Sequence, residues 1–188
     1  TLPIIKEYEE KKDSLSNYFV ARSYEIHAHY FYKNTNKDSA VHLLKESSEY
    51  YTQSKNFQAV LYNSNMIGSI YQNQSSYSLA LENYHSALEL FNHHPIDSSY
   101  YVDLMIDIGS VYHKYSKYRQ SIDIYNELLT ISKSLISGNV EGDIYNNLGL
   151  NYFSLGSSQK AYNFFLKAGD IYELQNSLYD LSIVYNNL

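Results

Sequence analysis

The chain of 188 residues carries 14 Lys and Arg against 20 Asp and Glu, and its formal net charge of −6 is mixed along its length. No segment has the clustered basic residues that neutralise phosphates, so binding to nucleic acid is disfavoured. Cysteine is absent, which excludes disulfides and thiolate zinc sites. With only 2 prolines, 7 glycines and no alternating run of β-branched residues, the sequence favours an all-α fold.

The N-terminal segment places apolar side chains such as Ile5, Leu15 and Phe19 among charged neighbours. This pattern predicts a helix within residues 1–20 that caps the helices that follow. The alternative interpretation is that these residues are the tail of a longer domain upstream.

A recurring frame of small and aromatic residues is centred on Gly68, Gly109 and Gly149, at intervals of 41 and 40 residues. Counted from each glycine, the marked offsets are −1, 0, +3, +12, +16 and +19, and we call this pattern the glycine frame. An upstream copy has Ala28 at the glycine position. Such periodicity predicts a repeat protein. The predicted repeats span about 21–60, 61–101, 102–141 and 142–181, and 182–188 begin a truncated fifth repeat.

Helix geometry accounts for the glycine frame. Offsets three or four apart share a helix face, so the first three positions line one helix and the last three line a second helix packed against it. A glycine inside a helix costs roughly 1 kcal/mol relative to alanine, so its recurrence indicates close approach of a neighbouring helix. The rings at +3 and +16 are expected to fill the space between successive helix pairs. Polar turns are expected at 73–76, 116–117 and 156–158.

These residues resemble the tetratricopeptide repeat, whose pattern is a large residue, Leu-Gly, Tyr, Ala, an aromatic residue and Ala in about 34 residues. The repeat around Gly149 matches it at Tyr145, Leu148, Gly149, Tyr152, Ala161, Phe165 and Ala168. The resemblance covers roughly residues 21–188, but the period is nearer 40 and the terminal proline is missing. It implies a right-handed superhelix of antiparallel helix pairs, forming a single array over 1–188. The long period is similar to arrays of bacterial sensor and regulator proteins and of certain eukaryotic adaptors.

Catalytic chemistry is not indicated by any motif in the sequence. There is no Gly-x-Ser-x-Gly elbow, phosphate-binding glycine-rich loop or His-Glu-x-x-His helix. His27 and His29 are two residues apart, and on a helix they point about 200° from each other, so they are poorly placed to bind one metal ion. We therefore predict no enzymatic activity, no cofactor and no metal site.

The resemblance also implies a binding surface, because the first helix of each repeat in this family lines a concave groove. Asparagine recurs there at offset −3, as Asn65, Asn146 and Asn186. An asparagine side chain both donates and accepts, so this ladder could clamp the main chain of an extended peptide. The alternative is that asparagine is simply abundant on a hydrated surface. The predicted peptide-binding residues are Tyr62, Asn65, Ser69, Asp103, Asp107, Ser110, Asn146, Asn147, Phe153 and Asn186.

Two classes of function fit these features. The first is a module that binds a peptide or a partner helix in the groove, as the sensor or interaction part of a larger regulatory protein. The second is a structural scaffold that self-associates through its ends or its convex face, and weak homodimerisation is expected from apolar residues such as Leu178 and Ile183. No apolar stretch approaches the roughly 20 residues of a membrane span. The compartment stays open between the cytoplasm and an exported sensor segment.

Overall fold

The computed structural model describes residues 13–34, 36–131 and 138–187, and these ranges contain nine α-helices and no β-strand. The segment preceding residue 13, which includes most of the predicted capping helix, lies outside the described residues. The helices are α1 (Ser14–Lys33), α2 (Lys37–Gln53), α3 (Phe57–Asn73), α4 (Tyr77–His93), α5 (Ser99–Lys114), α6 (Tyr118–Thr130), α7 (Gly138–Ser154), α8 (Ser158–Leu174) and α9 (Leu178–Asn187).

The helices form two compact units, Thr1–Ile96 and Asp97–Leu188. In the first unit, α1 packs on α2, α2 on α3 and α3 on α4. In the second unit, each helix from α5 to α9 packs on the next helix in the chain, and α5 also touches α7. We call α1, α3, α5, α7 and α9 the A helices, and α2, α4, α6 and α8 the B helices. Each unit is therefore built from A–B helix pairs of the kind that the glycine frame predicts.

The turns between helices use one backbone arrangement repeatedly. A single residue takes a left-handed conformation, and the next residue donates its N–H to a carbonyl five positions earlier, which closes the preceding helix. At Gly156, with φ of 73°, the missing Cβ removes the steric cost of this conformation. Polar residues take the same conformation at Lys55, Ser75, Ser116 and Asn176. Turns therefore lie in the three polar segments at which the sequence predicts them.

The glycine of each frame accommodates an aromatic ring from its own helix pair. A Cβ built on Gly149 would lie 2.5 Å from Cε1 of Phe165 in α8, far closer than carbon atoms tolerate. Gly68 faces Tyr84 in the same way at 2.6 Å. The expectation that the +16 rings fill the space between successive pairs is therefore corrected, because these rings lie inside the pair, directly on the glycine. This contact explains why a residue unfavourable to helices recurs in the middle of α3, α5 and α7.

The helix ends can be compared with the predicted repeat boundaries. Residues 14–20, assigned from the sequence to a capping helix, are the first two turns of the continuous helix α1. The boundaries proposed after residues 60, 101, 141 and 181 fall within α3, α5, α7 and α9. Among the described residues, no helix is long and apolar enough to cross a membrane.

Candidate protein-interaction surface

The predicted binding residues all lie on A helices. Three are on α3 in the first unit, and the other seven are on α5, α7 and α9 in the second unit. We call the surface formed by these positions the A-helix surface and treat each unit separately. The α3 residues are Tyr62, Asn65 and Ser69; α5 carries Asp103, Asp107 and Ser110; α7 carries Asn146, Asn147 and Phe153; α9 carries Asn186.

In the first unit, the A-helix surface combines an exposed ring with partly buried polar groups. Tyr62 is 43% exposed, and its ring lies 6.3 Å from the ring of His29 on α1, which places α1 and α3 side by side. Asn65 and Ser69 are half-buried. The side-chain oxygen of Asn65 is buried and has no hydrogen-bond partner among the described atoms.

The position equivalent to Asn65 on α1 is Glu25, whose carboxylate is buried and used internally. It accepts a hydrogen bond of 2.6 Å from the hydroxyl of Tyr51 and pairs with Arg22 at 2.5 Å. Burial raises the pKa of the Tyr51 hydroxyl, and the bond to Glu25 raises it further. This position at offset −3 therefore fastens α1 to α2 instead of presenting a free side chain.

In the second unit, α5 contributes two carboxylates at different depths. Asp103 is exposed, whereas Asp107 and Ser110 are half-buried. Burial chiefly raises the pKa of the Tyr125 hydroxyl, and the negative charges of Asp107 and Asp143 raise it further. The A-helix surface of this unit is therefore acidic along α5 and the start of α7.

The asparagines of α7 and α9 are linked to each other and to the backbone. The side-chain amide of Asn187 donates to the side-chain oxygen of Asn146 over 3.0 Å, and Asn147 donates to the carbonyl of Asp143 over 2.9 Å. Asn186, the residue that the periodicity selects, is exposed on α9. The amide that reaches Asn146 thus belongs to Asn187, the residue that follows the predicted one.

An open cleft of about 290 Å³ lies beside this asparagine pair, between α7, α8 and α9. Phe153 borders it and is 63% exposed. The buried side chains of Ala161 and Phe165 give it an apolar part, and Ser158, Gln159 and Asn187 give it hydroxyl and amide groups. The lining residues are Phe153, Ser158, Gln159, Ala161, Tyr162, Phe165 and Asn187. Sequence reasoning selected Phe153 but missed Gln159 and Tyr162, because it restricted the site to A helices.

The start of α7 is tied to the end of α8 by a short hydrogen bond. The hydroxyl of Tyr172 donates to Oδ1 of Asp143 over 2.5 Å. Burial raises the pKa of the Asp143 carboxyl, the bond from Tyr172 lowers it and the charge of Asp180 raises it, with a net rise. The ring of Tyr172 also lies on Gly142, where an added Cβ would sit 2.5 Å from Cε1 of the ring.

A buried hydrogen-bond chain connects the A-helix surface of the second unit to its interior. Asn151 on α7 donates to the hydroxyl of Ser121 at 2.9 Å, and that hydroxyl donates to the carbonyl of Gly109 at 2.7 Å. The oxygen of Asn151 faces Nδ1 of His113 at 3.0 Å, so His113 carries its proton on Nδ1. No sequence pattern indicates Asn151, because offset +2 is not part of the glycine frame.

Metal binding has no support in the part of the chain that the structure describes. No group of three or more His, Asp or Glu side chains is close enough there to hold an ion. What the described surface offers is hydrogen-bonding amides and aromatic side chains, which suit the recognition of another polypeptide.

The stacked A–B pairs, with their polar A-helix surface, define a helical-repeat protein of the tetratricopeptide class. The family model described as soluble NSF attachment protein, SNAP, matches residues 5–139, and the chain belongs to that family. A tetratricopeptide repeat model matches residues 142–173. Repeat families of this kind generally serve as protein-interaction modules. The comparison with curated proteins found no match.

Several solved structures share the fold. A Signal Transduction ATPase with Numerous Domains that has a tetratricopeptide repeat sensor, from Pyrococcus horikoshii, matches 96% of this chain with a TM-score of 0.79 and 19% identity. The apo form of RapI also matches 96%, with a TM-score of 0.76 and 16% identity. BtubC from P. vanneervenii matches 87%, with a TM-score of 0.72 and 17% identity. The chain spans 28%, 52% and 66% of these three proteins, respectively.

Proposed function

We propose that this chain is a binding module that holds an extended peptide, or a partner segment, on the A-helix surface of its second unit. The observation that carries the proposal is the cleft beside the Asn146–Asn187 pair. Its apolar part is suited to one apolar side chain of a ligand, while its amide groups can bond the ligand's main chain. Hydrogen bonds to the ligand's main chain would supply affinity, and the apolar part of the cleft would select among ligand side chains.

The exposed ring of Phe153 supports this assignment. A phenylalanine ring that is 63% exposed in the free protein gains apolar burial when a ligand covers it. The acidic groups on α5, Asp103 and Asp107, favour a ligand with a positive group outside the cleft. The amide of Asn187 can rotate between Asn146 and an incoming carbonyl, so the pair can exchange its own bond for one to the ligand.

The comparisons support a place for this module within a larger protein. The chain spans 28% of the Signal Transduction ATPase that has a tetratricopeptide repeat sensor, and this likeness fits a sensor or interaction segment. The name of the family to which the chain belongs describes attachment to a protein partner. We therefore propose that the chain is the recognition part of a regulatory assembly, in which another segment supplies the output.

A display library of random peptides selected on the wild-type protein tests this function. We expect enrichment of peptides with an apolar residue followed by a basic one. Asn146→Ala and Phe153→Ala should each weaken the selected peptides by about 1 to 2 kcal/mol, because a main-chain bond or an apolar contact is lost. Asp107→Asn should change which peptides are recovered and reduce the effect of salt.

The matched control is Asn126→Ala, which changes an exposed asparagine on the B helix α6. It should bind the selected peptides with wild-type affinity. Recovery of the same peptides, in the same yield, by all of these variants would contradict the proposed binding surface.

Self-association is a second candidate function, and exposed apolar side chains at the junction of α8 and α9 favour it. Leu174, Leu178 and Tyr179 are each more than three-quarters exposed and lie within six consecutive residues. Sedimentation of the wild type and of a Leu178→Asp, Tyr179→Asp double variant separates the candidates. A dimer that the double variant abolishes supports a scaffold, whereas a wild-type monomer at high micromolar concentration removes it.

A further inference from the structure

Three aromatic rings stack across the outside of the α7–α8 pair. The ring of Phe164 on α8 lies parallel to that of Tyr152 on α7, with centroids 5.3 Å apart and an interplanar angle of 5°. The centroid of the Phe164 ring also lies 6.1 Å from that of Tyr145, about two helical turns before Tyr152 on α7, at an interplanar angle of 25°. All three side chains are half-buried, so part of each ring is accessible to solvent.

Two lysines on α8 lie over these rings. The ammonium of Lys160 is 5.2 Å from the centre of the Tyr152 ring, and that of Lys167 is 5.3 Å from Tyr145 and 5.4 Å from Phe164. These distances are within the range of cation–π attraction, which limits where the two charges can lie. We call Tyr145, Tyr152, Lys160, Phe164 and Lys167 the lysine–aromatic surface.

Among the residues that the structure describes, no carboxylate pairs with either lysine of this surface. Within residues 13–34, 36–131 and 138–187, no acidic group lies within ion-pair distance of Lys160 or Lys167, although Asp170 and Glu173 follow on the same helix. The chain as a whole has a net charge of −6, so a face that carries two cations seven residues apart differs in sign from the average of the chain. A ligand that supplied two carboxylates would find its charges matched by these two lysines.

Space for an apolar group lies next to the two charges. An open pocket of about 540 Å³ is lined mainly by α8, and it shares no lining residue with the cleft between α7, α8 and α9. Leu166 contributes an apolar wall that is 41% exposed. The lining residues are Tyr152, Lys160, Asn163, Phe164, Leu166 and Lys167.

The spacing of the two lysines indicates which kind of ligand could pair with both charges. Lys160 and Lys167 are seven residues apart on one helix, which corresponds to about 10.5 Å along its axis and nearly the same face. A second helix lying alongside α8 repeats this spacing if it carries acidic residues seven positions apart. A leucine three positions after the first acidic residue then falls between the charges, at the level of Phe164 and the pocket.

We propose that the lysine–aromatic surface binds an acidic amphipathic helix of a partner protein, with glutamates at positions i and i+7 and a leucine at i+3. The glutamates pair with Lys160 and Lys167, and the leucine enters the pocket beside Phe164. This surface is separate from the cleft at Asn146, so the chain has two recognition sites in its second unit that take chemically different ligands.

Fluorescence anisotropy with designed peptides tests the proposal. The probe is a labelled alanine-based helix of 18 residues with glutamates at i and i+7 and leucine at i+3, and the comparison peptide has the same composition with glutamates at i and i+5. The wild type should prefer the first peptide by about tenfold, since only that register lets both glutamates reach a lysine. Its affinity should fall as salt is raised.

Substitutions in the protein provide the second arm of the test. Lys160→Met with Lys167→Met keeps the side-chain length and removes both charges, and it should abolish the preference for the first peptide. The control is Lys117→Met, since Lys117 also lies over a tyrosine ring, Tyr115, at 4.5 Å and belongs to the same unit. Circular dichroism and thermal melting of each variant establish that it is folded.

Two results would overturn the proposal. One is equal affinity of the wild type for the two peptides, and the other is tighter binding of a single-stranded oligonucleotide of the same charge. Asn146→Ala should bind the acidic helix with wild-type affinity. The proposal for the lysine–aromatic surface can therefore fail or succeed independently of the proposed peptide-binding function.

Discussion

Asn151 donates its side-chain amide to the hydroxyl of Ser121 at 2.9 Å, and both side chains are completely buried between α7 and α6. The first unit contains a similar pair at other positions of the repeat, in which Asn63 donates to the hydroxyl of Ser47 at 3.0 Å. Each serine occupies a position of the glycine frame that holds alanine in other repeats. In both units, an asparagine of the next repeat meets a hydroxyl where the frame departs from alanine, so the buried amide and the buried hydroxyl satisfy each other.

Removal of the amide at Asn151 should destabilise the second unit. Asn151→Ala leaves the hydroxyl of Ser121 without its donor and Nδ1 of His113 without its acceptor, and it also opens a small cavity. We expect a loss of about 2 to 4 kcal/mol in the free energy of unfolding, measured by urea denaturation.

A double-mutant cycle with Ser121→Ala isolates the pair. The hydroxyl of Ser121 still bonds the carbonyl of Gly109 in Asn151→Ala, so the two single losses should sum to more than the loss in the double variant. Strictly additive effects would mean that the 2.9 Å contact carries no coupling energy.

Replacement of Gly149 by alanine should be destabilising, although alanine is the better helix former. The new Cβ would lie 2.5 Å from the ring of Phe165, so the ring or the helix must move. We expect a net cost of about 1 to 3 kcal/mol, measured as a lower melting temperature.

Gly169 provides the matched control within the neighbouring helix α8. A Cβ there would meet Val184 at 3.5 Å, which is ordinary contact. Gly169→Ala should therefore be neutral or stabilising by up to about 1 kcal/mol. Equal effects of the two substitutions would contradict the steric role of Gly149.

The sequence predicts the all-α repeat fold because the glycine frame is a local pattern with helical spacing. The paired rings and glycines, such as Phe165 and Gly149, follow from the same offsets. The partners of Asn151 and Asn63 do not, because they lie 30 and 16 residues away and depend on how one repeat rotates against the next. A buried asparagine at such an offset looks the same in sequence as an exposed one.

The candidate site was predictable only in part, for a related reason. Repeat periodicity selects Asn146 and Asn186 as equivalent residues, but the bond that forms uses Asn187, since reach depends on side-chain direction across α7 and α9. The sequence pattern does not predict Lys160 and Lys167 as binding residues, because the family's groove is formed by A helices and both lysines lie on the B helix α8. A pattern of equivalent positions identifies a surface, and the geometry between neighbouring helices then decides which side chains meet.

Loss of the Glu25 carboxylate should weaken the first helix pair. Glu25→Ala leaves the buried hydroxyl of Tyr51 without its acceptor and Arg22 without its ion pair. We expect a loss of about 1 to 3 kcal/mol in the free energy of unfolding. Glu25→Gln keeps an oxygen acceptor and should cost less, so a larger loss for Gln than for Ala would contradict this role.

The carboxyl of Asp143 should make the stability of the second unit depend on pH. Its pKa is raised in the folded state, chiefly by burial, so folding favours the protonated carboxyl. The resulting stabilisation is fully present below the unfolded pKa, near 4, and is lost as the pH rises through the folded value.

Asp143→Asn keeps an acceptor for the hydroxyl of Tyr172 and removes the charge. Relative to the wild type, this variant should melt at a higher temperature at pH 7, and the difference should shrink as the pH approaches 4. Glu127→Gln is the control, because it also removes a carboxylate that accepts a hydrogen bond from a tyrosine hydroxyl, that of Tyr101, and this contact is exposed. A difference between Asp143→Asn and the wild type that is constant from pH 4 to pH 7 would show that ionisation of Asp143 does not affect folding.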